Sequence, residues 1–203
     1  GRYTEYAEKL TSLLARLHQA GVFDILELLS QVGRREQLEL FSQEKQVPAH
    51  EIVVLLKYLL YWVVPAEKYL SGLVRNDSVA SQAIKALGEL GVRTNLELLQ
   101  QGMCRSGRQA LAEASGLPEE VILALVNRAD FSRLPWASKA TISNIIGAGY
   151  ASLAQLANAD PEQVYADFFR YGKAIGKNLK LGNEIENSYR IARIVPLLVQ
   201  DQA

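Results

Sequence analysis

The chain has 203 residues, enough for one large domain or two small ones with real cores. Apolar residues make up 49% and charged residues 22%, a balance that excludes a disordered polyelectrolyte. Twenty-two basic and 22 acidic residues cancel, which argues against a dedicated nucleic-acid binder with a wholly basic face.

The first ten residues, "GRYTEYAEKL", are polar and mixed in charge, so no secretory signal is read there. The lone cysteine, Cys104, excludes an internal disulfide framework and fits a reducing compartment; a cytoplasmic protein is expected. Leu10, Leu13, Leu14 and Leu17 fall on one helix face. Gly21, Gly91 and Gly149 each follow a helical pattern and read as left-handed helix stops. The most apolar run, Ile52 to Val64, is 13 residues long and carries Lys57. A membrane span needs about 20 residues, so this is read as a core helix, or as a helix–helix oligomer interface, and no membrane role is expected. Pro48, Pro118 and Pro161 suit the first helical position. Asp160 with Gln163 makes a capping-box pattern. Ile185, Tyr189, Ala192 and Val195 keep helical spacing at the end of the chain, where Pro196 should kink or stop the helix. No stretch alternates with period two. The expectation is an all-α fold of many short helices with tight connections.

The chain also repeats itself. Shifted by 70 positions (21 to 91), "GVFDILELL" lies over "GVRTNLELL". Arg35 then meets Arg105, Pro48 meets Pro118, Ile52 meets Ile122, Leu55 meets Leu125 and Pro65 meets Pro135. Register over such a length points to internal duplication. A shorter echo, shifted by 58 positions (91 to 149), sets "ALGELGVRTNLELL" over "NIIGAGYASLAQLA". These relations suggest an N-terminal diverged repeat over 1–72 and a second domain over 73–203 with a C-terminal helix.

Two stretches carry a resemblance. "LGELGVRTNLELL" with "GRQALAEASGLPEEVILALVNRADFSRLP", followed by "WASKATISNIIGAGYASLAQLANADPEQV", resembles an uncharacterised bacterial domain family built from tandem helix-hairpin-helix units. The resemblance implies tandem helix-hairpin-helix-like (SAM-like) units. In that wider group the hairpin reads Pro-Gly-hydrophobic-Gly, and a helix start behind it faces a nucleic-acid phosphate. Here Pro135 matches the proline, Trp136 and Ser138 stand at the glycine positions, Ala137 is the hydrophobic residue, and Lys139 follows. In the preceding unit Ser78 and Ala80 stand at the glycine positions, beside Asp77.

Candidate phosphate or nucleic-acid contacts are therefore Ser138 and Lys139, with two further sets. Arg105 and Arg108 flank Ser106 and Gly107 just before a helix, where backbone N–H groups and guanidinium groups suit an anion. "RYGKAIGKNLK" carries four positive charges and no acid, and helical spacing would put Lys173, Lys177 and Lys180 on one face, beside aromatic residues. Catalysis has little to work with. His18 and His50 show no partners in sequence, Cys104 has no nearby base, and no metal-ligand spacing occurs. No catalytic residue, metal or cofactor is expected. The leading reading is a non-enzymatic helical scaffold that binds a protein partner or itself; the alternative is weak, sequence-independent nucleic-acid binding. Neutral charge and the missing hairpin glycines favour the first.

Overall fold

A computed structural model of the chain describes the backbone at residues 2–63, 66–134, 137–177, 179, 189–193 and 195–199, and side chains there except for 2–7 and 58–63. The chain divides into two compact units, Gly1–Val63 and Val64–Ala203. The expected boundary at 72/73 thus falls inside the second unit, because Leu70 and Leu73 are buried in that unit's core. Among the described residues the chain is all-helical, with one isolated antiparallel bridge between Tyr69 and Thr94.

The N-terminal unit contains α1 (Arg2–Gln19), α2 (Ile25–Val32), α3 (Arg35–Lys45) and α4 (Ala49–Val63). The second begins with a 3-10 turn (Leu70–Leu73). It continues with α5 (Ser78–Glu89), α6 (Asn95–Gly102), α7 (Arg105–Ser115), α8 (Glu119–Phe131), α9 (Lys139–Gly147), α10 (Leu153–Asn158) and α11 (Pro161–Ala174). Residues 189–192 are helical again, and the backbone leaves the helix before Pro196, whose ring forbids an interior position. Ile185 lies outside the described residues.

Three corners share one chemistry, joining α1 to α2, α5 to α6 and α9 to α10. Gly21, Gly91 and Gly149 take φ of 84°, 85° and 109°, left-handed values that cost an L side chain about 1–2 kcal/mol. In each corner the glycine N–H donates to the carbonyl three residues back, and the next N–H donates five back: Val22 to Leu17, Val92 to Leu87, Tyr150 to Ile145. Those next residues are buried and pin the corner to the core. Two residues further on, the side chains of Asp24, Thr94 and Ser152 cap the following helix through its first-turn N–H groups. The N–H just before each cap is taken in turn by a side chain of the new helix: Phe23 by Glu27, Arg93 by Glu97, Ala151 by Gln155. Each cap is worth about 1 kcal/mol, so turn direction and helix start are set locally.

The two units also agree in detail. The bounds of α2 and α3, shifted by 70, are those of α6 and α7 (25 to 95, 32 to 102, 35 to 105, 45 to 115). The left-handed residue after α3 is Gln46, φ 56°, and after α7 it is Gly116, φ 69°. Pro48 and Pro118 stand one residue ahead of α4 and α8, not at the first helical position; their carbonyls accept from the third and fourth N–H groups of those helices. Pro161 does occupy the first position of α11, and Asp160 caps it, while Gln163 bonds forward to Asp167 instead of closing a box.

The cores match as well. Val22, Leu28, Ile52 and Leu55 are buried in one unit, and Val92, Leu98, Ile122 and Leu125 in the other. On α1 the apolar face is only partly used: Leu13 and Leu17 are buried, Leu10 packs at the edge, and Leu14 is 49% exposed. On α4, Ile52 and Leu55 enter the core, Val54 faces outward, and the side chains from 58 to 63 lie outside the described residues.

Among the described residues, a strap is seen in the second unit. Residues 66–73 run back along the α5–α6 corner, and the 3-10 turn packs on α5, α8 and α9. Asn95, fully buried, stitches the strap in place: its Nδ2 donates to the Ala66 carbonyl (3.0 Å) and Ser132 Oγ (2.8 Å), and its Oδ1 accepts from the Lys68 N–H (2.7 Å). The Lys68 ammonium donates to the Ser132 and Ala137 carbonyls, and partial burial holds its pKa below the usual lysine value. Buried polar groups need such partners, or each costs about 1–3 kcal/mol.

Candidate functional site

The hairpin from Leu134 to Lys139 leads into α9. Pro135 and Trp136 lie outside the described residues. Ala137 is buried; Ser138 and Lys139 are exposed at the helix start. Ser138 Oγ caps α9 by accepting from the Thr141 N–H (3.2 Å), so one of the N–H groups that a phosphate would use already has an internal acceptor. Lys139, the first helical residue, keeps its ammonium in solvent. In the preceding unit Asp77 caps α5 at the Ala80 N–H and pairs with Arg128 at 3.3 Å, so a carboxylate stands where an anion would have to sit.

Arg105 and Arg108 part company. Arg105 is exposed at the first position of α7, 3.9 Å from Glu119. Arg108 is 2% exposed and its guanidinium donates to the Gly102 and Met103 carbonyls, where it neutralises the C-terminus of α6. Both border a cleft of about 600 Å³ whose other walls carry Glu119, Glu120, Asn127 and Gln155. Asn127 is buried there, with no hydrogen-bond partner for Oδ1 among the described residues. Two carboxylates offset two guanidinium groups, so the cleft is mixed in charge and not an anion trap.

The expected lysine face does not form. α11 ends at Ala174, because Gly176 takes φ 65° and the Lys177 N–H closes back on the Gly172 carbonyl (2.8 Å). Lys173 stands in the last turn and Lys177 beyond the helix; Lys180 lies outside the described residues. Of the aromatic residues beside them, Phe168 is fully buried and Phe169 is 68% exposed. Tyr171 lies so close to Gly147 that a Cβ there would fall within 2.2 Å of its ring, which explains the glycine at the α9–α11 crossing.

Groups with chemical potential are spread out. The Ser106 hydroxyl, helped by the Gly107 N–H, holds the Cys104 thiol below its usual pKa, yet no base stands beside it. Burial raises the Asp130 carboxyl, against the pull of Arg133 at 2.6 Å. Burial, and then the Asp167 carboxylate that accepts its hydroxyl at 2.9 Å, push Tyr150 up to about 12. No group of three or more His, Cys, Asp or Glu side chains is gathered for a metal among the described residues. No described helix is long and apolar enough to cross a membrane.

Sequence reasoning missed Asn95, Ser132, Asn127 and Asp130. The signal was in the repeat: each takes the place of an apolar or charged residue of the other copy, namely Ile25, Trp62, Lys57 and Leu60. At Asn95, Asp130 and Ser132, a polar residue at an apolar repeat position marks a buried polar side chain.

The class is therefore an all-helical protein of short helices joined by glycine-closed, side-chain-capped corners. Residues 77–183, more than half of the chain, match the family described as "Domain of unknown function (DUF4332)", and the chain belongs to that family. No curated protein and no solved structure matches it.

Proposed function

We propose that the chain is a non-enzymatic cytoplasmic scaffold, built from tandem helix-hairpin-helix-like units, that binds protein partners or itself. The recurring helix–glycine–cap–helix corner supports the tandem reading, and its agreement at a shift of 70 (21 to 91) supports duplication. The observation that carries the interaction role is an apolar surface on the N-terminal unit. Phe23 is 68% and Leu26 74% exposed there, alongside Leu14 and Leu29. Leu14 and Phe23 wall a shared cleft, and exposed apolar side chains that gather in this way mark contact surfaces more often than isolated ones do.

The placement of the basic groups supports a protein partner over nucleic acid. Arg108 is committed to α6, Asp77 occupies one helix start, Ser138 the other, and Lys177 has left the helix. Arg105, Lys139, Lys173 and Lys177 stay exposed, but they stand at the starts of α7 and α9 and at the end of α11, not along one helix face, and a phosphate backbone is held best by cations that act together.

Sizing with light scattering, together with a pull-down, tests the proposal. The expected result is a mass above the 22.5 kDa of one chain or a recovered protein partner. A strict monomer with no partner contradicts it. Titration with single- and double-stranded DNA and RNA at about 50 mM salt is the counter-test: saturation below about 10⁻⁴ M that fades as salt rises would favour the nucleic-acid reading.

A further inference from the structure

In the second unit, the strap closes the corner between α5 and α6. The Leu70 N–H donates to the Arg93 carbonyl and the Asn95 N–H donates to the Lys68 carbonyl, both at 2.9 Å, around the Tyr69–Thr94 bridge. Leu70 and Leu73 drop into the core between α5 and α8. Among the described residues, no segment lies in this way over the same corner of the N-terminal unit. Its chain continues α1 back to Arg2 where the second unit would turn aside. A cleft of about 560 Å³ lies there, walled by Leu14, Leu17, Val22, Phe23, Ile25 and Leu55. Shifted by 70, as 25 to 95 and 55 to 125, these walls are the positions of Ile84, Leu87, Val92, Arg93, Asn95 and Leu125 around the strap. The Phe23 carbonyl and Ile25 N–H, counterparts of the two groups that pair with the strap, make no hydrogen bond among the described residues.

Charge narrows the occupant. Phe23 and Asp24 stand where the second unit has Arg93 and Thr94, and Glu27 binds the Phe23 N–H. From Leu17 to Gly33 the sequence has two carboxylates, Asp24 and Glu27, and no lysine or arginine. Asp24 lines the cleft beside His18, with Glu27 one turn along α2, whereas the strapped corner carries Arg93.

Building on the interaction role proposed above, we propose that this cleft binds a short extended segment of a partner protein in the manner of the strap. The segment pairs its backbone with Phe23–Ile25 and sinks two branched aliphatic side chains spaced three apart, as Leu70 and Leu73 are. It carries a basic residue beside them, as Lys68 stands before Leu70. Backbone pairing supplies register, the apolar pockets supply affinity, and the carboxylates of Asp24 and Glu27 select the basic flank.

The probe is a labelled peptide of residues 66–74, AEKYLSGLV, titrated onto the full chain with backbone amide shifts followed by NMR. The expected result is saturation within about 1 mM peptide, with shifts at Leu14 and from Val22 to Leu29. The same peptide with Leu70→Asp should not bind. Leu14→Lys and Phe23→Arg in the chain, both at exposed positions, should each weaken binding at least about tenfold through added positive charge at the border, with thermal unfolding of the chain unchanged as the folding control. Three results overturn the proposal: no saturation; shifts confined to Arg93–Leu99, meaning exchange with the chain's own strap; or a dimer dissociated by Leu14→Lys, meaning a second copy fills the cleft. Where the peptide does not saturate but a partner or oligomer is retained by Leu14→Lys, the wider scaffold reading stands.

Discussion

The N-terminal unit and the matching part of the second unit use one plan and finish it differently. Both turn at a left-handed glycine, cap with a short oxygen side chain and bury the same apolar ladder. The second then adds Asn95, Ser132 and Lys68 to hold a strap over its corner. The first places Ile25 at the position of Asn95 and leaves Leu14, Phe23 and Leu26 in solvent. The contrast separates what makes the fold from what covers it. Corners and ladder are common to both units, and the covering is a polar network in one and bare apolar surface in the other.

The largest expected effect comes from the buried Asp130–Arg133 pair, which replaces Leu60 and Val63 of the first unit. Asp130→Leu alone leaves Arg133 uncompensated and should cost about 3–5 kcal/mol in urea unfolding. Adding Arg133→Val should return most of that loss, because a buried pair replaced on both sides by apolar groups is often neutral. A double variant no better than the single one would mean that Arg133 serves chiefly its second acceptor, the Pro196 carbonyl.

Next comes Asn95→Ile, which imports the residue of the N-terminal unit. Orphaning the Ala66 carbonyl and the Lys68 N–H should lower stability by about 2–3 kcal/mol. The amides of the strap should also lose hydrogen-exchange protection. The reciprocal Ile25→Asn should give no stabilisation, since no described segment lies over that corner for it to hold.

The glycine corners should fail alike. Nothing lies within 4 Å of a Cβ built on Gly21, Gly91 or Gly149, so alanine meets backbone strain and no clash. Each substitution should cost about 1–2 kcal/mol. A much larger cost at one corner would set it apart from the other two.

The smallest effect is that of Tyr150. With its hydroxyl pKa near 10 unfolded and about 12 folded, its contribution is complete below pH 10 and is lost as pH climbs through about 12. Tyr150→Phe should cost about 0.5–1 kcal/mol. It should also remove one late-ionising tyrosine from the ultraviolet titration.

Much of the fold was legible in the sequence because its signals are local. A glycine after a helical pattern, a short oxygen side chain three residues on, and a repeat that keeps register specify corners without reference to distant residues. The end of the basic segment was misread because lysine spacing says nothing about Gly176, whose left-handed backbone stops the helix between Lys173 and Lys177. Arg108 looked like an anion ligand because its burial depends on packing between α6 and α8. The exposed side of α1 was hidden for the same reason: four leucines on one stripe do not tell which of them a neighbour covers.

The most direct test is amide hydrogen exchange on the free chain, comparing Leu70 and Asn95 with Ile25. The first two donate to carbonyls across the strapped corner, while the Ile25 N–H makes no hydrogen bond among the described residues. Slow exchange at Leu70 and Asn95 with fast exchange at Ile25 is the expected result. Equal protection at Ile25 and Asn95 would contradict the account, because the corner of the N-terminal unit would then already be closed.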